Sequence, residues 1–217
     1  MGVQVKICGI TTPNQAIACV EAGAHALGVV FYAESPRCVG PEAARQILEA
    51  AGRSIRRVGV FVDEPGDMVL ERAKELDLDF VQLHGSEHPE VVAALENAGV
   101  RVIKALFANK SPEFADADKY EATGFLLESA GGELPGGNAM AWDWSAARGA
   151  GAGRPVVLAG GLNADNLAEA VAAAGVSAVD VSSGVERAPG EKDVEKIRAF
   201  LAAAKVCPAG KGEGIFK

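Results

Sequence analysis

The chain has 217 residues, 49% of them apolar and 23% charged, enough for one sizeable core and too few for two enzyme domains, which usually take ~100–200 residues each. A net charge of −8 without any basic run argues against a nucleic-acid surface, which shows as clustered Lys and Arg, yet leaves room for a local pocket that takes a small anion. No stretch reaches the ~18–20 apolar residues of a membrane span, and Cys8, Cys19, Cys38 and Cys207 have neither metal-ligand spacing nor the density of a disulfide scaffold, so the expectation is an unprocessed cytoplasmic protein without membrane partners.

Short runs rich in Val, Ile and Leu recur along the chain at Val3–Ile7, Ala26–Phe31, Arg57–Val62, Phe80–Leu83, Val100–Phe107, Gly124–Leu127, Pro155–Leu158 and Ala178–Val181. Near-continuous apolar character suits parallel strands covered on both faces, joined by crossover helices. The first helix is predicted to start at Thr12-Pro13-Asn14-Gln15, which supplies an N-cap, a first-turn proline and a glutamine for a capping box, and to stop near Gly23. Gly40-Pro41-Glu42 opens a second helix with Ile47 and Leu48 inward, and His88-Pro89-Glu90 another with Val91, Val92 and Leu95. Asn163 or Asp165 is placed to cap a helix bearing Leu167 and Val171.

Gly23, Gly99 and Gly175 each follow Ala at a predicted helix end, and both intervals are 76 residues. That spacing reads as every third repeat of a strand–helix unit, with about eight units in the chain. Eight parallel strands favour a single (β/α)8 TIM barrel over residues 1–204. An open doubly wound sheet uses similar patterns, but no Gly-x-Gly-x-x-Gly fingerprint follows the first strand. The glycine-rich segment Ser129–Ala141 is a candidate lid, and residues 205–217 are expected to form a frayed C-terminal tail.

In a barrel the chemistry collects just beyond the C-terminal ends of the strands. There the first strand carries Lys6 and Cys8 on one face, so an ammonium lies beside a thiol that is either a general base or a small buried hydrophobe. Gly160 and Gly161, with Ser182, Ser183 and Gly184 at the next strand end, form a candidate phosphate cradle. Asp143, between Trp142 and Trp144, is a general acid in an apolar surround, a helix N-cap, or both. Arg37 offers a planar fork for a substrate carboxylate or is a surface arginine, and Gln82 and His84 share a strand face that either lines the pocket or is bonded internally. His25, His84 and His88 do not recur at ligand spacing, so no metal is expected.

Taken together and in order, Lys6-Ile7-Cys8-Gly9-Ile10-Thr11, Ser35-Pro36-Arg37, Gln82-Leu83-His84-Gly85, Leu158-Ala159-Gly160-Gly161-Leu162, Asp180-Val181-Ser182-Ser183-Gly184-Val185-Glu186 and Gly190-Glu191-Lys192-Asp193 resemble the phosphoribosylanthranilate isomerase family from residue 3 to about 203. The resemblance implies a barrel isomerase of tryptophan biosynthesis, acting on a phosphorylated small molecule without a cofactor, as monomer or homodimer. It matches Cys8 to the general base, Asp143 to the general acid, Arg37 to the anthranilate contact, Asp180 to the ribose hydroxyls and the two late loops to the phosphate. Three places depart from the family's pattern: Leu127-Glu128 stands where Leu-Leu-Asp is usual, Gly136-Gly137-Asn138-Ala139 replaces Gly-Gly-Thr-Gly or Gly-Gly-Ser-Gly, and Ala141-Trp142-Asp143-Trp144 replaces Phe-Asp-Trp. Rival readings are a histidine-pathway sugar-phosphate isomerase, against which Cys8 speaks, and a non-catalytic phosphate-binding barrel.

Overall fold

The computed structural model describes residues 2–130, 141–210, 212 and 214–217. Eight parallel strands, β1 Gln4–Cys8, β2 Ala26–Val30, β3 Arg56–Phe61, β4 Phe80–Leu83, β5 Val102–Phe107, β6 Gly124–Glu128, β7 Val156–Leu158 and β8 Ala178–Val181, close into a barrel in chain order. Closure comes from β8 lying against β1, with Lys6 opposite Asp180. Helices follow five of the first seven strands: α1 Pro13–Ala22, α2 Pro41–Ala51, α3 Gly66–Glu75, α4 Pro89–Asn97 and α5 Leu167–Ala174. After β5 and β6 the helical segments are instead short 3-10 stretches, Phe114–Lys119 and Trp144–Ala147. Beyond β8 come a small hairpin, β9 Glu186–Ala188 and β10 Glu191–Lys192, and the long helix α6 Val194–Val206.

Strand alternation divides the buried residues into two sets. Val5, Ile7, Leu27, Val29, Val81, Leu83, Leu106 and Leu127 face outward into the main core with α-helical residues such as Ile47, Leu48, Val92, Leu95, Leu167 and Val171. Ala26, Val58, Phe80, Ile103, Leu126, Val157 and Ala178 fill the barrel's lower interior, while the upper inner face carries polar groups beside a small apolar patch of Val30 and Val60 against Cys8.

The helix boundaries follow local chemistry. Thr12 accepts a hydrogen bond from the Gln15 amide, and Gln15 Oε1 accepts from the Thr11 amide at 2.9 Å, so the predicted capping box closes one residue earlier than its usual form. For α5 the cap is Asn166, while the Asn163 carboxamide accepts from the Asp165 and Asn166 amides just before it. Gly23, Gly99 and Gly175 all sit at positive φ, at 88°, 84° and 72°. They end the helices after β1, β4 and β7, which is the every-third-unit spacing read from the sequence.

The frayed tail expected at 205–217 is not what forms. Pro208 bridges to Gly2, the Gly210 amide donates to Val176 O, and Gln4 exchanges two hydrogen bonds with Phe216. Ile215 and Phe216 are buried under the barrel, Phe216 edge-on to Phe80 at 5.9 Å. The physical reason lies in those two side chains, which close the apolar lower interior that the strands alone leave open to water.

Candidate active site

Lys6 and Cys8 occupy consecutive inward positions of β1, and the wall opposite them on β2 is Gly28, the register partner of Cys8. A Cβ at Gly28 would lie 3.0 Å from Cys8 Sγ and 3.2 Å from Lys6 Nζ, so the missing side chain makes the space in which thiol and ammonium meet. Lys6 is fully buried and its Nζ donates to Asp180 Oδ1 at 2.9 Å. Burial works against its charge, but Asp180 and Cys8 outweigh this and hold the ammonium above the usual lysine range. For Cys8 the balance runs the other way: burial pushes the thiol up, and Lys6 and Lys192 pull it back only in part, with Asp180 opposing them.

Three loops are tied together around this pair. Ser182 Oγ donates to Cys8 O at 3.0 Å, joining the ends of β8 and β1. Arg37 is buried, with Nε and Nη2 donating to the two Glu186 oxygens at 2.8 and 2.7 Å. Lys192 Nζ donates to Glu186 Oε1 at 2.6 Å and to Ser182 O at 3.1 Å. Burial alone would raise the Glu186 carboxyl, yet Arg37 and Lys192 hold it below the usual carboxylate range. Gly9, at φ 76°, completes the packing, because a Cβ there would sit 2.4 Å from Arg37 Cδ.

Across the barrel, Gln82 and His84 lie on the inner face at the end of β4. Gln82 Nε2 and His84 Nδ1 are hydrogen-bonded at 2.9 Å, which leaves Nε2 as the ring's remaining polar atom. That nitrogen lies 3.5 Å from Glu128 Oε1, and all three residues are buried. His84 Nε2 and Gln82 Oε1 are buried without a hydrogen-bond partner among the described residues. Orphaned polar atoms are costly, and a hydroxyl-rich ligand in the barrel mouth would satisfy them. Gly160 and Gly161 take positive φ after β7, and Gly184 packs so closely on Leu162 O that no side chain would fit there, so the two candidate phosphate loops touch.

The structure therefore brings together Lys6, Cys8, Asp180, Gln82 and His84 on the inner face, with the two glycine-containing loops at its rim. Two expectations fare differently. Arg37 spends its Nε and Nη2 donors on Glu186 rather than presenting an open fork. Asp143 is exposed and caps the 3-10 stretch through Ser145, whose amide and hydroxyl both donate to it, while the flanking Trp142 and Trp144 turn their N–H groups to Ala159 O and Gly160 O. The two indoles expected to surround its carboxyl are thus bonded to the loop that follows β7. Glu128, Glu186 and Lys192 stand in the sequence motifs but take their place in the site only through the fold; two-residue alternation along β6 is the signal that puts Glu128 on the inner face.

The family model for N-(5'-phosphoribosyl)anthranilate (PRA) isomerase matches residues 5–203. The chain belongs to this family. Phosphoribosylanthranilate isomerases of Desulfatibacillum aliphaticivorans and Rhodospirillum centenum are each 47% identical to it, over 93% and 94% of this chain and 92% and 99% of theirs. Among solved structures, phosphoribosylanthranilate isomerase from Thermus thermophilus superposes with a TM-score of 0.83 at 42% identity, covering 92% of this chain and 97% of that one. A phosphoribosylanthranilate isomerase solved with reduced 1-(o-carboxyphenylamino)-1-deoxyribulose 5-phosphate gives 0.80 at 37% identity, over 94% of this chain and 98% of that one. Family membership makes this barrel an isomerase of tryptophan biosynthesis acting on a phosphorylated small molecule.

Proposed function

We propose that the chain converts N-(5-phosphoribosyl)anthranilate to 1-(2-carboxyphenylamino)-1-deoxy-D-ribulose 5-phosphate by an Amadori rearrangement, with Cys8 as general base and Glu128 as general acid. The acid protonates the ribose ring oxygen as the ring opens to an iminium. Cys8 then removes the proton from the second sugar carbon, and the enolamine relaxes to the ketone. The iminium is its own electron sink, so the protein has only to position the sugar and move protons, and the scheme calls for no cofactor.

One observation carries this reading: a thiol with an adjacent ammonium, an imidazole whose Nε2 has no hydrogen-bond partner among the described residues and a carboxylate all project from the inner face at the C-terminal end of one barrel. The acid is assigned to Glu128 rather than Asp143 on burial and partners. Glu128 is 5% exposed beside His84 and stands where the family's motif carries an aspartate, so the carboxyl chemistry is retained one methylene further out. The Asp143 carboxylate is exposed and already bonded to Ser145. Asp180 and Lys6 are read as holding the ribose hydroxyls, Arg37 the anthranilate edge, and Gly160, Gly161, Ser182, Ser183 and Gly184 the phosphate, chiefly through backbone N–H groups since the Ser182 hydroxyl is turned to Cys8 O.

Turnover of the anthranilate ribotide by three variants tests the assignment. Cys8→Ser and Glu128→Gln are expected to lower kcat by at least ~100-fold, the scale of a positioned acid or base, and Asp143→Asn by no more than a few-fold. The reverse ranking of Glu128→Gln and Asp143→Asn would return the acid to Asp143.

A further inference from the structure

Lys104 is a fully buried lysine that this mechanism does not use. It sits on β5 with its side chain on the outer face of the barrel, opposite Leu83 of β4, between the wall and the loop that leads into α4. Its ammonium donates to Leu83 O at 3.2 Å, Gly85 O at 2.8 Å and Ala105 O at 3.0 Å, and pairs with Glu87 Oε2 at 2.9 Å. Leu83 and Gly85 are the two residues that flank His84.

We propose that Lys104 is a positioning residue for the isomerisation: from behind the wall it clamps the backbone on both sides of His84 and thereby aims the imidazole into the site. This rests on reading His84 as a group that meets the substrate. The surrounding bonds make the clamp rigid. Glu87 accepts the Gly85 amide with both oxygens, at 3.0 and 3.1 Å, and the Asp63 amide at 3.1 Å. Asp63 Oδ1 in turn accepts from the Ser86 amide at 2.6 Å, and its carboxyl lies so near Gly85 that a Cβ there would be 2.4 Å from it. The His84 amide donates to Phe61 O at 2.8 Å. The loop is therefore held from three sides, and within it the Gln82 bond and the edge-on Phe107 ring at 5.6 Å orient the imidazole.

Stability by itself does not account for this lysine. A buried ion pair is often matched or bettered by apolar residues of the same volume, and the outer layer beside it is made of such residues. Burial lowers the Lys104 pKa, opposed by Glu87, which marks the arrangement as one the fold maintains at a cost. What an apolar side chain would not supply is a cation that gathers three carbonyl oxygens from two strands and a loop.

A double-mutant cycle tests the proposal. Lys104→Met is made in the parent and in His84→Asn, each folded variant being checked by circular dichroism and thermal unfolding and assayed for kcat and KM. In the parent, Lys104→Met is expected to lower kcat about tenfold, within the ~100-fold range of ångström-scale misplacement, with KM changing less than threefold and the His84 ring signals in the NMR spectrum displaced. In the His84→Asn background the same substitution is expected to cost less than twofold. Equal losses in both backgrounds, or unchanged kcat in a folded Lys104→Met protein, overturn the proposal while leaving His84 in the site. Full activity of His84→Asn alone removes His84 from the site and the proposal with it. Should Lys104→Met not fold, Glu87→Gln goes through the same cycle with the same criteria.

Discussion

The charge pair beneath the thiol gives the most demanding test of the site. Lys6 Nζ and Cys8 Sγ both lie within 3.2 Å of the point a Gly28 Cβ would occupy, so they are no more than about 6 Å apart; at that distance one unit charge acts on another with about 2–3 kcal/mol at an effective dielectric near 20. Lys6→Met removes that support and leaves Asp180 buried and unpaired, at about 3–5 kcal/mol of stability. A domain with about 5–15 kcal/mol in hand still folds. Asp180→Asn removes the opposing charge instead, at a similar stability cost. The two variants are therefore expected to lose stability together but to move the thiol in opposite directions. The assay is iodoacetamide modification at neutral pH in a Cys38→Ser/Cys207→Ser parent, because Cys38 is exposed and Cys207 is buried no more decisively than Cys8, whereas Cys19 is fully buried with its thiol pushed up to about 12. Lys6→Met is expected to slow modification of Cys8 on the order of tenfold, allowing Lys192 to make up part of the loss, and Asp180→Asn to speed it. Unchanged reactivity in folded Lys6→Met protein, or the same direction in both variants, refutes the claim that Lys6 governs this thiol.

Acid stability reads out the Arg37–Glu186–Lys192 cluster. Because the folded-state Glu186 pKa is depressed, its contribution is present above the unfolded value of about 4.3 and is lost as pH falls through the lower folded value. Urea midpoints between pH 6 and 3 are expected to fall less steeply in Glu186→Gln than in the parent, and parallel curves would contradict the pairing. At the other end of the barrel, Phe216→Ala is expected to cost about 3 kcal/mol, the scale for a buried phenylalanine, with kcat near normal. A stability loss under 1 kcal/mol would mean that the tail does not seal the interior.

The strands were legible because parallel strands sandwiched between helices and an interior stay apolar along their whole length, and each observed strand lies inside its expected run or passes its end by one residue. The joints were legible where a residue type has one conformational use, as at Thr12 and at the evenly spaced Gly23, Gly99 and Gly175. Harder to see was anything decided by partners far off in sequence. Asp143 stands between two tryptophans whose rings, once folded, bond to the loop after β7 instead. Lys104 was hidden inside an apolar run because its partners come from β4 and the loop beyond it. The tail was misread since its apolar residues, Ile215 and Phe216, gain a surface to cover only after the ring closes. Most of the candidate lid Ser129–Ala141, with the departure at Gly136–Ala139, lies outside the described residues.

The bonds from Lys6 to Asp180, Ser182 to Cys8 and Arg37 to Glu186 all cross between the earliest and latest units of the chain. The seam of the ring thus runs through the candidate site, and no fragment lacking either side of it contains all of the residues proposed for it. On refolding from denaturant, recovered turnover would mark the moment the ends meet, whereas helical signal would return earlier; and two separately produced half-barrels would be inert alone and competent only as a reassembled pair.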